Sequence, residues 1–205
     1  KRKDCNYPYK HLSGCGVGFK LMQAFAIKNN IPFTDLESSF DLLAVSIGAD
    51  IVPITGENRV LSYFGLKRIN ENPRPGFKKM IPENIKGNLN ISNLVFSIAP
   101  KINAAGRIQH ASDAVKLMLC ETEQEAVKYL NQITKLNNER RELDSDITDS
   151  AITQLSTTDH KNNYSTIVYD SGWHKGVIGI VASRLVDAYY KPTLVFTKGS
   201  NGELV

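Results

Sequence analysis

Residues 172–184 place glycines, a histidine and an arginine where a predicted strand turns into a predicted helix. Backbone N–H groups at a helix N-terminus are unpaired, the helix dipole favours negative charge there, and glycines let a phosphate approach the chain closely. The segment is therefore a candidate phosphate site. Alternatively, Gly176 and Gly179 serve only to let the helix pack tightly on a sheet, and the spacing alone does not separate these two interpretations.

The residues on either side of this segment are typical of strands. Residues 165–169 (STIVY) and 193–196 (TLVF) are rich in β-branched and aromatic side chains, and Lys191-Pro192 precedes the second run. Together they predict a βαβ unit, and Gly199-Ser200-Asn201-Gly202 predicts a hairpin turn after it.

Residues 98–108 (IAPKINAAGRI) combine a proline, several small residues, an amide and a guanidinium. We expect Pro100 to stop the ordered stretch before it. Small residues allow a ligand to approach the backbone, and Arg107 could hold a phosphate through two parallel hydrogen bonds. An equally good alternative is that Arg107 forms a salt bridge with a neighbouring carboxylate.

Asp50 follows Gly48-Ala49 in an otherwise apolar stretch. A carboxylate in such a place must be paired, hydrogen-bonded or bound to a metal, because an isolated buried charge is costly. The sequence leaves two interpretations open, a metal ligand or a cap for the following turn.

Apolar residues at three- and four-residue intervals predict the elements that position these groups. The shorter helices are expected at residues 13–29, 36–47, 58–69 and 111–119. A much longer helix is expected at residues 121–155, and its apolar spacing is interrupted only around Arg140-Arg141. It would reach roughly 50 Å, which favours a connector between two lobes over a coiled coil that binds a partner. Residues 157–163 predict a polar hinge after it.

Composition limits the classes of protein. The 205 residues are 41% apolar and 22% charged, and no apolar run approaches the roughly 20 residues of a membrane span. Three cysteines without metal-ligand spacing fit a reducing cytoplasm. The net charge of +4 is compatible with a nucleic-acid partner without requiring one. Six basic residues within 67–86 would attract a polyanion, or are simply a solvated charge run.

Four segments in this order resemble motifs of the RecJ family, the bacterial single-strand-specific DNA exonucleases of the DHH phosphoesterase superfamily. They are residues 12–21 (LSGCGVGFKL), 48–53 (GADIVP), 98–108 and 173–184 (WHKGVIGIVASR). The resemblance extends over nearly the whole chain, and it is the ordered set, not any one motif, that makes it specific.

The resemblance implies an α/β protein of two lobes. Residues 1–119 would be the mostly helical C-terminal part of a DHH catalytic domain, 120–158 a long connecting helix, and 159–205 the start of an α/β DHH-associated domain. Aspartates and histidines of this family hold two divalent cations, Mn²⁺ or Mg²⁺, which activate the water that attacks the phosphodiester.

The family's functional positions carry over residue by residue. Asp50 matches an aspartate that ligates metal, and is thereby both a metal and a catalytic residue. The other matches imply nucleic-acid contacts, and they are Asn103, Arg107, His174, Gly176 and Arg184. His174 is equally a candidate structural histidine, and Arg184 could instead pair with Asp187 on its own helix.

The sequence also departs from the family pattern. The Asp-His-His triplet that names the superfamily is absent, and so is the family's glycine- and serine-rich phosphate-binding segment. We therefore expect an internal fragment with one metal ligand out of several, which is inactive by itself.

The resemblance implies a metal-dependent 5′-to-3′ exonuclease that hydrolyses phosphodiester bonds of single-stranded DNA in DNA recombination and repair. It also implies a cytoplasmic monomer without membrane contact, and a single-strand-binding protein as a further partner. The alternatives are a small phosphoester hydrolase of the same superfamily, acting on oligoribonucleotides or pyrophosphate, and a non-catalytic nucleic-acid-binding scaffold.

Overall fold

The computed structural model describes residues 4–108, 111–157 and 163–205 of the chain. These residues divide into two compact units. The first comprises Lys1–Ala105 and Ala111–Thr134, and the second comprises Gly106–His110 and Lys135–Val205. No helix in the described ranges combines the length and the apolar character that crossing a membrane requires.

The first unit is helical. Its helices are α1 (Gly14–Lys28), α2 (Phe40–Ala49), α3 (Gly56–Glu71), α4 (Pro75–Met80), α5 (Ile91–Asn93), α6 (Ala99–Ile108, which continues into the second unit) and α7 (Ser112–Leu119). The Ser13 hydroxyl caps α1 by accepting a hydrogen bond from the Gly16 amide at 3.1 Å. A core cluster that includes Phe19, Phe40 and Leu43 holds α1 and α2 together.

Two expectations about helix boundaries in this unit were wrong. The helix expected at 36–47 begins as a 3₁₀ helix, Phe33–Ser39, and becomes α-helical only at Phe40. Serine side chains tend to compete with the backbone for local hydrogen bonds, and two of them at positions 38 and 39 disfavour an α-helical start.

Pro100, expected to stop the ordered stretch, instead lies in the first turn of α6. A π-helix, Leu94–Ile98, runs directly into α6, and the Ala99 amide donates to the Leu94 carbonyl five residues earlier. Because proline lacks an N–H and its ring crowds the carbonyl four residues back, the wider π turn lets the helix continue past it.

Helices α2 and α3 approach closely at Gly65. A Cβ built on Gly65 would lie 2.2 Å from the Phe40 carbonyl oxygen and 2.6 Å from the Ala44 Cβ. We therefore expect Gly65→Ala to lower the free energy of unfolding of the chain by about 1–3 kcal/mol, measured by urea denaturation. Gly18→Ala is the matched control, because nothing lies within 4 Å of its Cβ position. It should raise stability by up to about 1 kcal/mol, and equal stabilities for the two variants would contradict the close packing.

The second unit contains the predicted βαβ unit. Strand β1 (Thr166–Tyr169), helix α9 (Ile178–Tyr189) and strand β2 (Thr193–Phe196) follow one another, and β1 pairs with β2 in parallel, with Thr166 opposite Thr193. The expected hairpin turn is confirmed by an antiparallel bridge between Lys198 and Leu204. The fold class predicted from the sequence, a largely helical portion followed by the start of an α/β domain, is confirmed.

The long helix α8 (Glu123–Ser156) contains 34 residues and is continuous through Arg140-Arg141, which confirms the long helix predicted from the sequence. It contributes its first residues to one unit and the remainder to the other. In the second unit Ile147, Ala151 and Leu155 of α8 form a core with Val181 and Leu185 of α9. Most of the predicted hinge, residues 158–162, lies outside the described residues.

Candidate metal and nucleic-acid sites

Asp50 lies at the C-terminal cap of α2, where its carboxylate is exposed. The Ser46 hydroxyl donates to Asp50 Oδ2 at 3.3 Å. The helix ends in a Schellman arrangement, because the Val52 amide donates to the Ile47 carbonyl and the Ile51 amide to the Gly48 carbonyl. The carboxylate is therefore hydrogen-bonded and faces solvent, and it is not an unpaired buried charge.

The residue after Asp50 carries backbone strain. Ile51 adopts a φ of 49°, a left-handed conformation that costs a β-branched residue roughly 1–2 kcal/mol and that helices usually assign to glycine at this position. Strain of this kind is concentrated at functional sites. The strained residue Ile51 therefore lies directly beside the Asp50 carboxylate at the end of α2.

Asp50 and Asn103 line one cavity of about 340 Å³ within the first unit, together with Cys15 and Ser46. The Asn103 side-chain amide donates to the Ala49 carbonyl at 3.4 Å, which ties α6 to the end of α2. The structure thus brings together two residues that the sequence singled out separately, 53 positions apart.

Cys15 is a free thiol on the same cavity. Burial of the sulfur raises the pKa of this thiol although the residue as a whole is exposed, and the charges of Asp50 and Asp41 raise it further. A raised pKa makes a thiol less ready to bind a metal, because the thiolate is the form that acts as a ligand.

A single exposed carboxylate supplies hard oxygen, which is the donor that Mn²⁺ and Mg²⁺ prefer. Asp50 therefore fits the role of one ligand. Across residues 4–108, 111–157 and 163–205, however, no three His, Cys, Asp or Glu side chains are grouped so that they could hold a metal ion. The described residues do not complete the two-ion site that the resemblance implies.

In the second unit, the glycine-rich turn packs against the backbone of Arg107. A Cβ on Gly176 would lie 2.1 Å from the Arg107 carbonyl oxygen, whereas nothing lies within 4 Å of a Cβ on Gly179. The packing interpretation therefore holds for Gly176, though its neighbour is Arg107 and not the sheet. It does not hold for Gly179, which borders open space at the start of α9.

The His174 side chain is hydrogen-bonded within the glycine-rich turn. Its Nδ1 accepts a hydrogen bond from the Gly176 amide at 3.1 Å, which places the proton of the neutral ring on Nε2. The ring therefore has a structural function in the turn, the alternative that the sequence left open. No side chain in the described ranges caps the N-terminus of α9.

The two arginines of the second unit make different contacts. Arg107 Nη1 donates to the Gly176 carbonyl at 3.4 Å, so its observed partner is a carbonyl and not the carboxylate considered above. Arg184 Nη2 lies 2.6 Å from Oδ2 of Asp144, forty positions earlier on α8. The suggested pairing with Asp187 is wrong, because a buried carboxylate needs a cationic partner more than an exposed one does.

No family model matches the chain. Curated relatives do match. The single-stranded-DNA-specific exonuclease RecJ of Bacillus subtilis is 38% identical over 197 residues, which is 95% of this chain and 24% of that protein. The RecJ of Escherichia coli is 33% identical over 98% of this chain and 38% of its own length. The crystal structure of Thermus thermophilus RecJ in complex with Mn²⁺ superimposes with a TM-score of 0.80 at 31% identity, over 94% of this chain and 28% of that one.

The chain belongs to the RecJ family. It spans between 24% and 38% of the length of the two curated RecJ relatives named above, so the match concerns a segment of those proteins. A second RecJ crystal structure bound to manganese superimposes with a TM-score of 0.78 over 94% of this chain and 48% of that one.

Sequence reasoning missed the interaction between two polar residues of α8, Asp144 and Arg140. Asp144 is fully buried, and Arg140 Nη1 lies 3.6 Å from its Oδ2. The available signal was the position of polar residues 137, 144 and 148, which are buried on α8 among the apolar residues that face the core. A carboxylate in such a stripe requires a partner.

The basic run at residues 67–86 is partly neutralised by nearby carboxylates. Each of its six cations lies within 4.0 Å of a carboxylate, and the pairs are Lys67–Glu71, Arg68–Asp41, Arg74–Asp41, Lys78–Glu123, Lys79–Glu123 and Lys86–Glu83. The two lysines lower the pKa of Glu123 to about 2 by hydrogen bonds and by their charge. The run is therefore a weaker candidate for a polyanion site than its sequence indicated.

Proposed function

We propose that this chain is the part of a RecJ exonuclease that contributes one metal ligand and a portion of the path of the DNA strand. The whole enzyme would hydrolyse phosphodiester bonds of single-stranded DNA from the 5′ end during recombination and repair. The observation that carries the proposal is the placement of Asp50 and Asn103 on one cavity, in a chain 38% identical to a RecJ over 197 residues.

In this proposal Asp50 is the metal ligand and the catalytic residue. Bound there, Mn²⁺ or Mg²⁺ would supply a water of lowered pKa and would neutralise charge that develops on the phosphoryl oxygens. Asp50 can contribute because its carboxylate is exposed and its only side-chain partner among the described residues is the Ser46 hydroxyl. Further ligands must come from other residues of the enzyme.

The strand contacts are assigned to Asn103 in the first unit, and to Arg107, His174, Gly176 and Arg184 in the second. Arg107 and Arg184 are both exposed, and a guanidinium suits a phosphate. With Nδ1 engaged in the turn, His174 would offer only its Nε2–H to a phosphate. Gly176 would contribute by shape, because it allows the turn to sit against Arg107.

The two other candidate functions have less support. The similarity to enzymes named single-stranded-DNA-specific exonucleases disfavours a small phosphoester hydrolase. The presence of Asp50 in an exposed position on a cavity disfavours a scaffold without metal ligands. The division into residues 1–119, 120–158 and 159–205 stays a prediction, as do the cytoplasmic location, the monomeric state and the partnership with a single-strand-binding protein.

A chimera tests the proposed function. This chain would replace the matching segment of Bacillus subtilis RecJ, and release of nucleotides from 5′-labelled single strands, duplexes and dinucleotides would be measured with Mn²⁺. We expect cleavage of the single strand and little of the duplex. Faster hydrolysis of the dinucleotide would favour the small phosphoester hydrolase. A folded chimera without activity on any substrate would favour the scaffold.

The 205-residue chain by itself is expected to be inactive. One carboxylate does not hold two divalent ions, and the described residues offer no group of three possible ligands. Incubation of the purified chain with Mn²⁺ and labelled single-stranded DNA should leave the DNA intact on a denaturing gel. Metal-dependent degradation that follows the chain through purification would refute this prediction.

A further inference from the structure

A buried carboxylate of α8 organises two arginines in the second unit. Asp144 is 0% exposed, with Arg184 Nη2 at 2.6 Å and Arg140 Nη1 at 3.6 Å from its Oδ2. Its other oxygen, Oδ1, has no hydrogen-bond partner among the described residues. Arg140 lies on α8 and Arg184 lies on α9. Their guanidinium groups would repel each other, and the negative charge of Asp144 between them offsets this repulsion.

The charges of two more guanidinium groups act on Arg140. Burial lowers the pKa of Arg140; Asp144 opposes this effect, and the positive charges of Arg141, Arg107 and Arg184 lower the pKa further. In the part of the chain that the structure describes, neither Arg107 nor Arg141 forms an ion pair. Two cations, Arg140 and Arg184, therefore share one carboxylate, and Arg107 and Arg141 add positive charge that acts on Arg140 and is not compensated by these contacts.

Such a concentration of charge costs stability in the free protein and is relieved by a bound anion. Arg184 remains accessible, because 54% of its side chain is exposed while one Nη2 contact fixes its orientation. Arg107 and Arg141 are exposed as well. An oxyanion with several acceptor atoms, such as a phosphate, matches guanidinium groups that are fixed in this way.

We propose that Arg140 and Arg141 complete, with Arg107 and Arg184, an anion-binding cluster for a backbone phosphate of a single DNA strand, with Asp144 as the positioning residue. The choice of single-stranded DNA as the source of the phosphate rests on the proposed function. Arg140, Arg141 and the positioning function of Asp144 go beyond the residues assigned under the proposed function.

The experiment measures binding of fluorescein-labelled (dT)₂₀ to the 205-residue chain by anisotropy, in EDTA and at several salt concentrations. Arg141→Gln and Arg140→Gln should each weaken binding about tenfold and lower the slope of log K against log salt by about 0.7. Arg59→Gln is the matched control, because it removes one exposed positive charge from α3 in the other unit. Binding by both α8 variants within twofold of this control, or no binding by the wild-type chain, would overturn the proposal.

Arg141 is exposed, so its replacement is not expected to disturb folding, and thermal melting checks this for each variant. Asp144→Asn tests the positioning function, because the two explanations predict opposite changes in affinity for (dT)₂₀. It raises the net charge by one, so charge alone predicts tighter binding, whereas loss of the fixed Arg184 and Arg140 predicts weaker binding. Tighter binding by a folded variant would overturn the function assigned to Asp144.

The failure of this inference can be distinguished from failure of the proposed function. If the chimera cleaves DNA but Arg140→Gln and Arg141→Gln bind DNA normally, the exonuclease assignment stands and the anion-binding cluster is rejected. Binding that depends on Arg140 and Arg141, together with a folded chimera that cleaves nothing, would give the reverse result.

Discussion

Asp50→Asn is expected to reduce Mn²⁺-dependent cleavage of single-stranded DNA by the chimera more than a hundredfold. Loss of a residue that merely supports a metal ligand costs about 10- to 100-fold, and loss of the ligand itself should cost more. Asparagine keeps the size of the side chain and its ability to accept the Ser46 hydrogen bond, but it removes the negative charge. The initial rate of nucleotide release at saturating Mn²⁺ measures the effect.

The control for this variant is Asp35→Asn. Asp35 is an exposed carboxylate on the 3₁₀ helix of the same unit and does not line the cavity of Asp50. Its replacement should leave the rate within twofold of the unmodified chimera. If Asp50→Asn retained more than a tenth of the activity, Asp50 would not be a metal ligand.

Asp41→Ala is expected to lower the free energy of unfolding of the chain by about 3–5 kcal/mol. Asp41 is 0% exposed and accepts hydrogen bonds from Arg74 Nε at 2.7 Å and Arg74 Nη2 at 2.9 Å. Arg68 Nε, 3.8 Å from the same carboxylate, has no hydrogen-bond partner among the described residues. Alanine would therefore leave two partly buried guanidinium groups without their counter-charge.

The same network ties several elements of the first unit together. Arg74 also donates to the Ser38 carbonyl at 2.8 Å and to the Met118 carbonyl at 3.0 Å, so the loss should not be confined to α2. Urea denaturation of the chain measures the change, and Asp35→Ala, at an exposed carboxylate, should stay within about 0.5 kcal/mol of the parent. A loss below 1 kcal/mol for Asp41→Ala would show that this ion pair contributes little.

Local patterns predicted the elements of this chain well. The apolar spacing along α1 and α8 and the β-branched and aromatic residues of β1 and β2 all report on neighbours that are close in the chain. Pro100 was expected to end the ordered stretch because a proline ring usually clashes with the carbonyl four residues earlier. The π-helix before it avoids this clash, and the local sequence pattern does not predict a π-helix.

The site was predicted only as far as the motifs extended. Asp50 and Asn103 were found as isolated candidates, and only the tertiary structure places both on one cavity. The partners of the arginines could not be predicted from the sequence, because Asp144 lies forty positions from Arg184 and Asp41 lies 33 positions from Arg74. Contacts across such separations depend on how helices pack, which periodicity does not specify.

The most direct test of the central claim is the position of manganese in crystals of the chimera soaked with Mn²⁺. An anomalous difference map should show a manganese peak within about 2.5 Å of a carboxylate oxygen of Asp50, the range for hard cations bound by oxygen. Manganese peaks elsewhere in the enzyme, with the Asp50 carboxylate still bonded only to Ser46, would contradict the account.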